Sequence, residues 1–210
     1  MDRSPRLPPR RTLLAGVAAF VACPALIASV RAQTRLQPTP AQTEGPFYPV
    51  ELPADTDFDL LAQGGRHYRQ GQPAWLDGHV VDTAGRPVTG AVVEIWQCDH
   101  QGHYHHPGDG GRADPAFQGY GRVAVGADGR YRFRTIRPAP YTGRTPHIHV
   151  KVHLGRRALL TTQVYVEGEP RNESDGLWRR LDAAGRAALT VPFRPVADGL
   201  HASFPLVVEA

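Results

Sequence analysis

In the stretch Tyr141-Thr-Gly-Arg144-Thr-Pro146-His147-Ile-His149-Val150-Lys151-Val152, polar and apolar residues alternate after the proline. A two-residue period is what a strand shows when its faces differ, so His147 and His149 point the same way. Two imidazoles close together on one strand face can reach a single ion, and imidazole is a ligand for iron, copper, nickel and zinc alike. The same pattern also fits a pair of strand histidines at a wet edge, because histidine is common at partly exposed positions. Tyr141 and Arg144 stand in a loop punctuated by Pro138, Pro140, Gly143 and Pro146, and loops held by a sheet are where functional side chains concentrate. Tyr104 follows another run, Glu94-Ile95-Trp96-Gln97-Cys98-Asp99-His100-Gln101-Gly102-His103. His100, His103, His105 and His106 crowd around it, and so dense a stretch binds copper or zinc on its own, forms a solvated loop before Pro107-Gly108, or lines a substrate entrance.

The elements that must position these groups are short. From residue 74 onward the runs 76–82, 91–97, 131–136, 147–153, 158–166, 187–193 and 204–209 are rich in Val, Ile and aromatics. Turn chemistry at 84–87, 127–129 and 183–185 stands between them. Residues 175–181, with Leu177, Trp178 and Leu181 spaced for one face, form the one helix to be named. Arg130, Arg132 and Arg134 alternate as a solvated strand face would. The expected fold is all-β, an antiparallel β-sandwich with an extended N-terminal arm and at most one or two short helices. Residues 33–73 are the arm and a polar loop, and 74–210 are the sandwich.

Ahead of them, Arg10-Arg11 precedes an apolar run, 15–30, that is short for a spanning helix and broken by Pro24. Residues 1–32 therefore read as a twin-arginine export signal, with Val30-Arg31-Ala32 as the cleavage site. An ordinary membrane anchor and a lipoprotein signal through Cys23 are the alternatives. The mature protein is expected in the periplasm or outside the cell, with no membrane attachment. Without residues 1–32 the chain carries 19 basic and 19 acidic residues, so the pI near 9.4 is no argument for a nucleic-acid partner. Cys98 is then alone, which excludes an intrachain disulfide, and beside Trp96 it reads as packing.

Four runs in order resemble the intradiol ring-cleavage dioxygenases, in particular the protocatechuate branch and its secreted relatives. They are Thr43-Glu44-Gly45-Pro46-Phe47-Tyr48, Gly90 through Tyr104, Tyr141 through His149, and Thr162-Gln163-Val-Tyr-Val-Glu167-Gly168. The resemblance implies non-haem iron(III) held by Tyr104, Tyr141, His147 and His149, with a catechol-type diol and O2 as substrates. It implies that the ring opens between the two hydroxylated carbons to give a cis,cis-muconate. A trivalent ion stabilises phenolate strongly enough to remove at neutral pH a proton that otherwise leaves near pH 10. Arg144 matches an arginine beside the activated ring, and Gln163 a glutamine that orients a ligand or substrate oxygen. Tyr48 is expected near the cavity mouth as a substrate contact, although core packing explains the Phe47-Tyr48 pair equally well. The loop from Tyr141 to His147 is short for a protocatechuate enzyme, which leaves the identity of the catechol open, as is the oligomeric state, a homo-oligomer included. Two other readings stand beside this one. The hairpin sequence 76–91 also suits a noncatalytic exported β-sandwich binding module, and the histidines alone suit a zinc or copper protein.

Overall fold

The computed structural model describes residues 35–210; the expected leader, with Cys23, lies outside them. Two five-stranded sheets carry the fold. In chain order, β1 (Ala62–Gln63) and β2 (Arg66–His67) form a small hairpin inside the region expected to be loop. The other strands are β3 (Pro73–Asp82), β4 (Ala91–Trp96), β5 (Tyr120–Ala124), β6 (Arg130–Ile136), β7 (His147–Leu154), β8 (Arg157–Val166), β9 (Thr190–Val191), β10 (Arg194–Val196), β11 (Gly199–Ser203) and β12 (Leu206–Val208).

In the first sheet β3 pairs antiparallel with β6 on one side and, on the other, with β11 and then β12, both parallel; β10 flanks β11. The second sheet runs β5-β4-β7-β8-β9, antiparallel except for the β8–β9 pair. Leu76, Val80 and Phe133 of the first sheet meet Val93, Ile95, Ile148, Val150 and Val164 of the second in one buried cluster. Each such side chain contributes on the order of 1.5–3 kcal/mol when taken out of water. Because side chains alternate, committing Ile148, Val150 and Val152 to this core turns His147, His149 and Lys151 to the opposite face of the sheet.

The arm covers that opposite face. Pro38 and Pro40 favour an extended chain, which bonds to Thr83 and Val207 beside the first sheet and, through Gln42 N–H, to the Thr161 carbonyl on β8. It then crosses onto the second sheet so closely that a Cβ on Gly45 would lie 3.2 Å from His149 Cε1.

Three expectations need correction. Residues 175–181 do not form a helix of their own: they hold a short 3-10 turn, Trp178–Arg180, preceded by another, Pro170–Ser174. The α-helix, α1, is Ala183–Leu189, where a turn and a strand were expected. Asp182 accepts a hydrogen bond from Gly185 N–H as its N-cap, and the alanine-rich run has high helix propensity, so composition read as strand yields to capping. Arg132 and Arg134 are not simply solvated: their guanidinium carbons lie 3.9 and 4.7 Å from the Trp75 ring centre. Among the described residues no helix is long and apolar enough to cross a membrane.

Candidate metal centre

The strand register assembles the site. Trp96 of β4 sits opposite His149 of β7, which sits opposite Gln163 of β8, while His147 sits opposite Tyr165. Both histidines are 1% exposed, and their Nε2 atoms are 3.2 Å apart. His147 Nδ1 is 2.6 Å from the Thr145 carbonyl, which can only accept, so the proton lies on Nδ1 and the lone pair on Nε2. His149 stacks on Trp96 at 4.8 Å and 9°, and its Nδ1 has no hydrogen-bond partner. Burial, reinforced by the nearby Arg144 charge, lowers His147 to about 3. Burial, with His147 and Arg144 adding to it, takes His149 well below its ordinary value. Both imidazoles are thus neutral at pH 7, as metal ligands must be.

The phenols arrive on two loops that touch. Gly102 has φ of +88°, and a Cβ there would stand 2.7 Å from the Pro140 carbonyl and 3.4 Å from Tyr141 Cα. Only glycine permits this approach. Tyr104 N–H is held by Asp109 Oδ2 at 2.7 Å. The rings then close a circuit: Tyr104 to Tyr141 5.3 Å, Tyr141 to His147 5.5 Å, His147 to His149 4.7 Å, and His149 to Tyr104 6.1 Å between centres. The Tyr104 hydroxyl is buried with no hydrogen-bond partner. Burial raises Tyr104 well above the usual phenol value and raises Tyr141 too, with Arg144 opposing the rise at both.

Arg144 is fixed on three sides. Its Nε donates to Asp175 Oδ2 at 2.7 Å, Nη2 to Gln163 Oε1 at 2.7 Å, and Nη1 to the Tyr141 hydroxyl at 3.4 Å. Gln163 in turn donates to the Thr43 carbonyl of the arm at 2.9 Å. Asp175 is the residue that sequence reasoning missed. Its buried carboxylate also accepts from the backbone N–H groups of Thr145, Leu177 and Trp178. Burial alone would raise its pKa; Arg144 and these N–H groups outweigh burial and hold it below 3.8. The available signal was Asp175 at the start of the segment read as a helix, where an acidic side chain caps free N–H groups.

Tyr48 is a correction. It does not line the cleft over the site; Phe47 does, stacking on Tyr104 at 4.8 Å. The chain turns at Pro46-Phe47 and bends at Tyr48, which sends Tyr48 to Trp96 and to Glu94, whose carboxylate accepts a hydrogen bond from its hydroxyl at 2.9 Å. The histidine cluster disperses. His100 bonds the Tyr68 hydroxyl, His105 the Phe117 carbonyl, and His106 caps a 3-10 turn at Pro107–Asp109, so only His103 reaches the cleft. Cys98 is fully buried, as expected of a packing residue.

The four donors suit a metal ion. Two donors each about 2.1 Å from one ion and at right angles stand about 3 Å apart, close to the observed Nε2 separation. An ion would also engage the orphaned Tyr104 hydroxyl and reverse the effect of burial on the phenols. Among the described residues no three His, Cys, Asp or Glu side chains are grouped for a metal. What the site offers an ion is phenol oxygens as well as imidazole nitrogens, a mixed set that favours a hard, highly charged cation. Above the site opens a cleft of about 920 Å³.

Residues 43–198 match the family model described as Dioxygenase. A hydroxyquinol 1,2-dioxygenase of Corynebacterium glutamicum is 34% identical over 64% of this chain and 48% of its own length. A second, from Rhodococcus opacus, is 32% identical over 75% of this chain and 56% of its own. The chain thus spans about half the length of these two relatives. The β chain of a protocatechuate 3,4-dioxygenase of Burkholderia cepacia is 34% identical over 70% of this chain and 68% of its own. Among solved structures, the dioxygenase domain of a dioxygenase–carbohydrate-binding fusion from Streptomyces sp. SirexAA-E is 36% identical. It superposes with a TM-score of 0.67 over 83% of this chain and 99% of that one. An intradiol ring-cleavage dioxygenase of Tetranychus urticae, 23% identical, shares the fold with a TM-score of 0.69 over 83% of this chain and 95% of that one.

Proposed function

Since this chain belongs to the intradiol ring-cleavage dioxygenase family, we propose that it is a non-haem iron(III) enzyme that opens a catechol-type ring between its two hydroxylated carbons, using O2, to a cis,cis-muconate-type product. The observation that carries this reading is the closed circuit of Tyr104, Tyr141, His147 and His149 around an orphaned phenol and a facing pair of Nε2 atoms. These four residues hold the ion. Held there, iron(III) would supply the Lewis acidity that makes a catechol-type diol reactive toward O2.

The remaining work belongs to the chain. Tyr141 is less buried than Tyr104, and its hydroxyl lies beside Arg144. Tyr141 is therefore the phenol placed to take a diol proton on its Oη. Arg144, locked by Asp175 and Gln163, presents a fixed positive charge to the ring as negative charge develops on it. Gln163 links that guanidinium to the arm, and Phe47 on the arm shields Tyr104 from water. We assign residues 1–32 to a twin-arginine leader, 33–73 to the arm and its loop, and 74–210 to the catalytic sandwich, with the mature enzyme exported.

Oxygen uptake against a panel of catechols, with product identification and a visible spectrum, tests the proposal. The expected result is one O2 consumed per diol, a muconate product, and a phenolate-to-iron absorption that Tyr104→Phe weakens and shifts while circular dichroism stays unchanged. Coloured, iron-loaded protein that consumes no O2 with any diol refutes the activity. An unchanged spectrum in Tyr104→Phe excludes that ligand, and colourless zinc-loaded protein returns the reading to histidines alone.

A further inference from the structure

The cleft above the four rings is far larger than a bare single-ring diol needs, since its 920 Å³ lies near the top of the range that takes drug-sized ligands, about 300–1,000 Å³. Its lining is also charged with one sign: three guanidiniums, Arg112, Arg144 and Arg171, against one carboxylate, Asp109. The three differ in their commitments. Arg112 is paired with Asp109 at 3.3 Å, and Arg144 is consumed by Asp175 and Gln163. The hydrogen bonds of Arg171 are made by its backbone N–H and carbonyl, and among the described residues its guanidinium has no hydrogen bond or ion pair. It is a free cation facing a cavity.

Its place in the chain sets how far it stands from the chemistry. Arg171 and Ser174 lie one turn apart on the 3-10 turn Pro170–Ser174, so they share a face, and both line the cleft. Asp175, the next residue, is bonded to Arg144 beside Tyr141. Asp175 N–H donates to the Arg171 carbonyl at 3.1 Å, so Arg171 stands one turn of chain before the residue that anchors Arg144. A cleft of this volume has room for a ring that carries its carboxylate out on a short carbon arm.

We propose that the substrate is a catechol whose ring bears an extended anionic arm, with Arg171 as the specificity residue that receives the arm's carboxylate while the diol sits at the four rings. The inference rests on the diol-cleaving reading of the site. A planar guanidinium donates two parallel hydrogen bonds to a carboxylate, and the Arg171 fork is left to do so because the Ser174 hydroxyl beside it donates to the Arg171 carbonyl instead.

Two measurements separate this inference from the reading beneath it. Calorimetric titration under anaerobic conditions compares 3-(3,4-dihydroxyphenyl)propanoate with its methyl ester, and with 3,4-dihydroxybenzoate, on the whole metal-loaded protein. The acid is expected to bind at least about fivefold tighter than its ester in dilute buffer. That preference shrinks as salt is raised, because the site is open to solvent. It falls to about one in Arg171→Ala and is kept in part by Arg171→Lys. The ring-borne carboxylate gains less than the extended one. Equal binding of acid and ester by the native protein, or a preference that survives Arg171→Ala, overturns the inference whether or not turnover occurs. Oxygen uptake with the same compounds then tests the ring-cleavage reading separately: uptake with no acid preference leaves that reading standing and the Arg171 assignment refuted.

Discussion

Replacing Asp175 by asparagine perturbs the site without touching a proposed metal ligand. The amide keeps the shape of the carboxylate, and Oδ1 can still accept from Leu177 and Trp178 N–H. The other position now presents an NH2 group to Arg144 Nε and Thr145 N–H, where an acceptor stood at 2.7 and 3.0 Å. Donors then face donors. A hydrogen bond to a charged acceptor contributes about 1.5–3 kcal/mol, and removing one partner of a buried ion pair costs about 3–5 kcal/mol. The Asp175 side chain is 0% exposed and that of Arg144 16%, so water from the cleft relieves part of the penalty. We therefore expect a loss near the lower end, about 3 kcal/mol, or roughly 6–12 °C in Tm for a domain of this size. That is well within the about 5–15 kcal/mol a domain has, so the protein still folds. With Arg144 released, kcat/KM toward catechol falls by about 10- to 100-fold, because its charge is no longer held where the ring develops its own. Urea titration of the single variants Asp175→Asn and Arg144→Met and of their double variant completes the measurement. A coupling energy of about 2 kcal/mol is expected for groups in direct contact. A single variant within about 0.5 kcal/mol of the native protein, or two effects that simply add, refutes the clamp.

Two further outcomes follow from the same geometry. Gly102→Ala and Gly143→Ala both place a side chain at positive φ, but only the first meets another atom, the Pro140 carbonyl at 2.7 Å, while the second meets nothing within 4 Å. Gly143→Ala should cost about 1 kcal/mol and Gly102→Ala at least about 2, with weakened visible absorption in the latter alone; equal costs in thermal melts would show that the loop contact is not what joins the tyrosines. In the metal-free protein, His147 has a folded value of about 3 against about 6.5 unfolded, so below pH 6.5 the unfolded chain binds a proton that the folded one refuses. Stability is then full above about pH 6.5 and falls as pH drops toward 3, and Asp175, held below 3.8, adds a loss only below that value. Urea midpoints at pH 7.5, 5.5 and 4.5 in the presence of a chelator check this, and a midpoint that rises on acidification contradicts it.

What could be read from the residues in order was whatever the backbone period controls. The alternation from His147 to Lys151 put both imidazoles on one face because a strand has no other way to present them, and the apolar residues between them left only that face for chemistry. The neutral charge of residues 33–210, the packing role of Cys98 and the all-β class were equally local or compositional. The structure decided everything that depends on which distant segments touch. The loop of Tyr104 meets that of Tyr141 through a bare glycine at 102, and Arg144 finds its counter-ion 31 residues away at Asp175. The arm turns Phe47 rather than Tyr48 to the site, and residues 183–189 coil into a helix because Asp182 caps them. Strand periodicity is imposed within a few residues by steric limits on the peptide backbone, so the sequence displays it. The meeting of two loops is settled by the packing of whole sheets, and no local pattern encodes the distance between their tips.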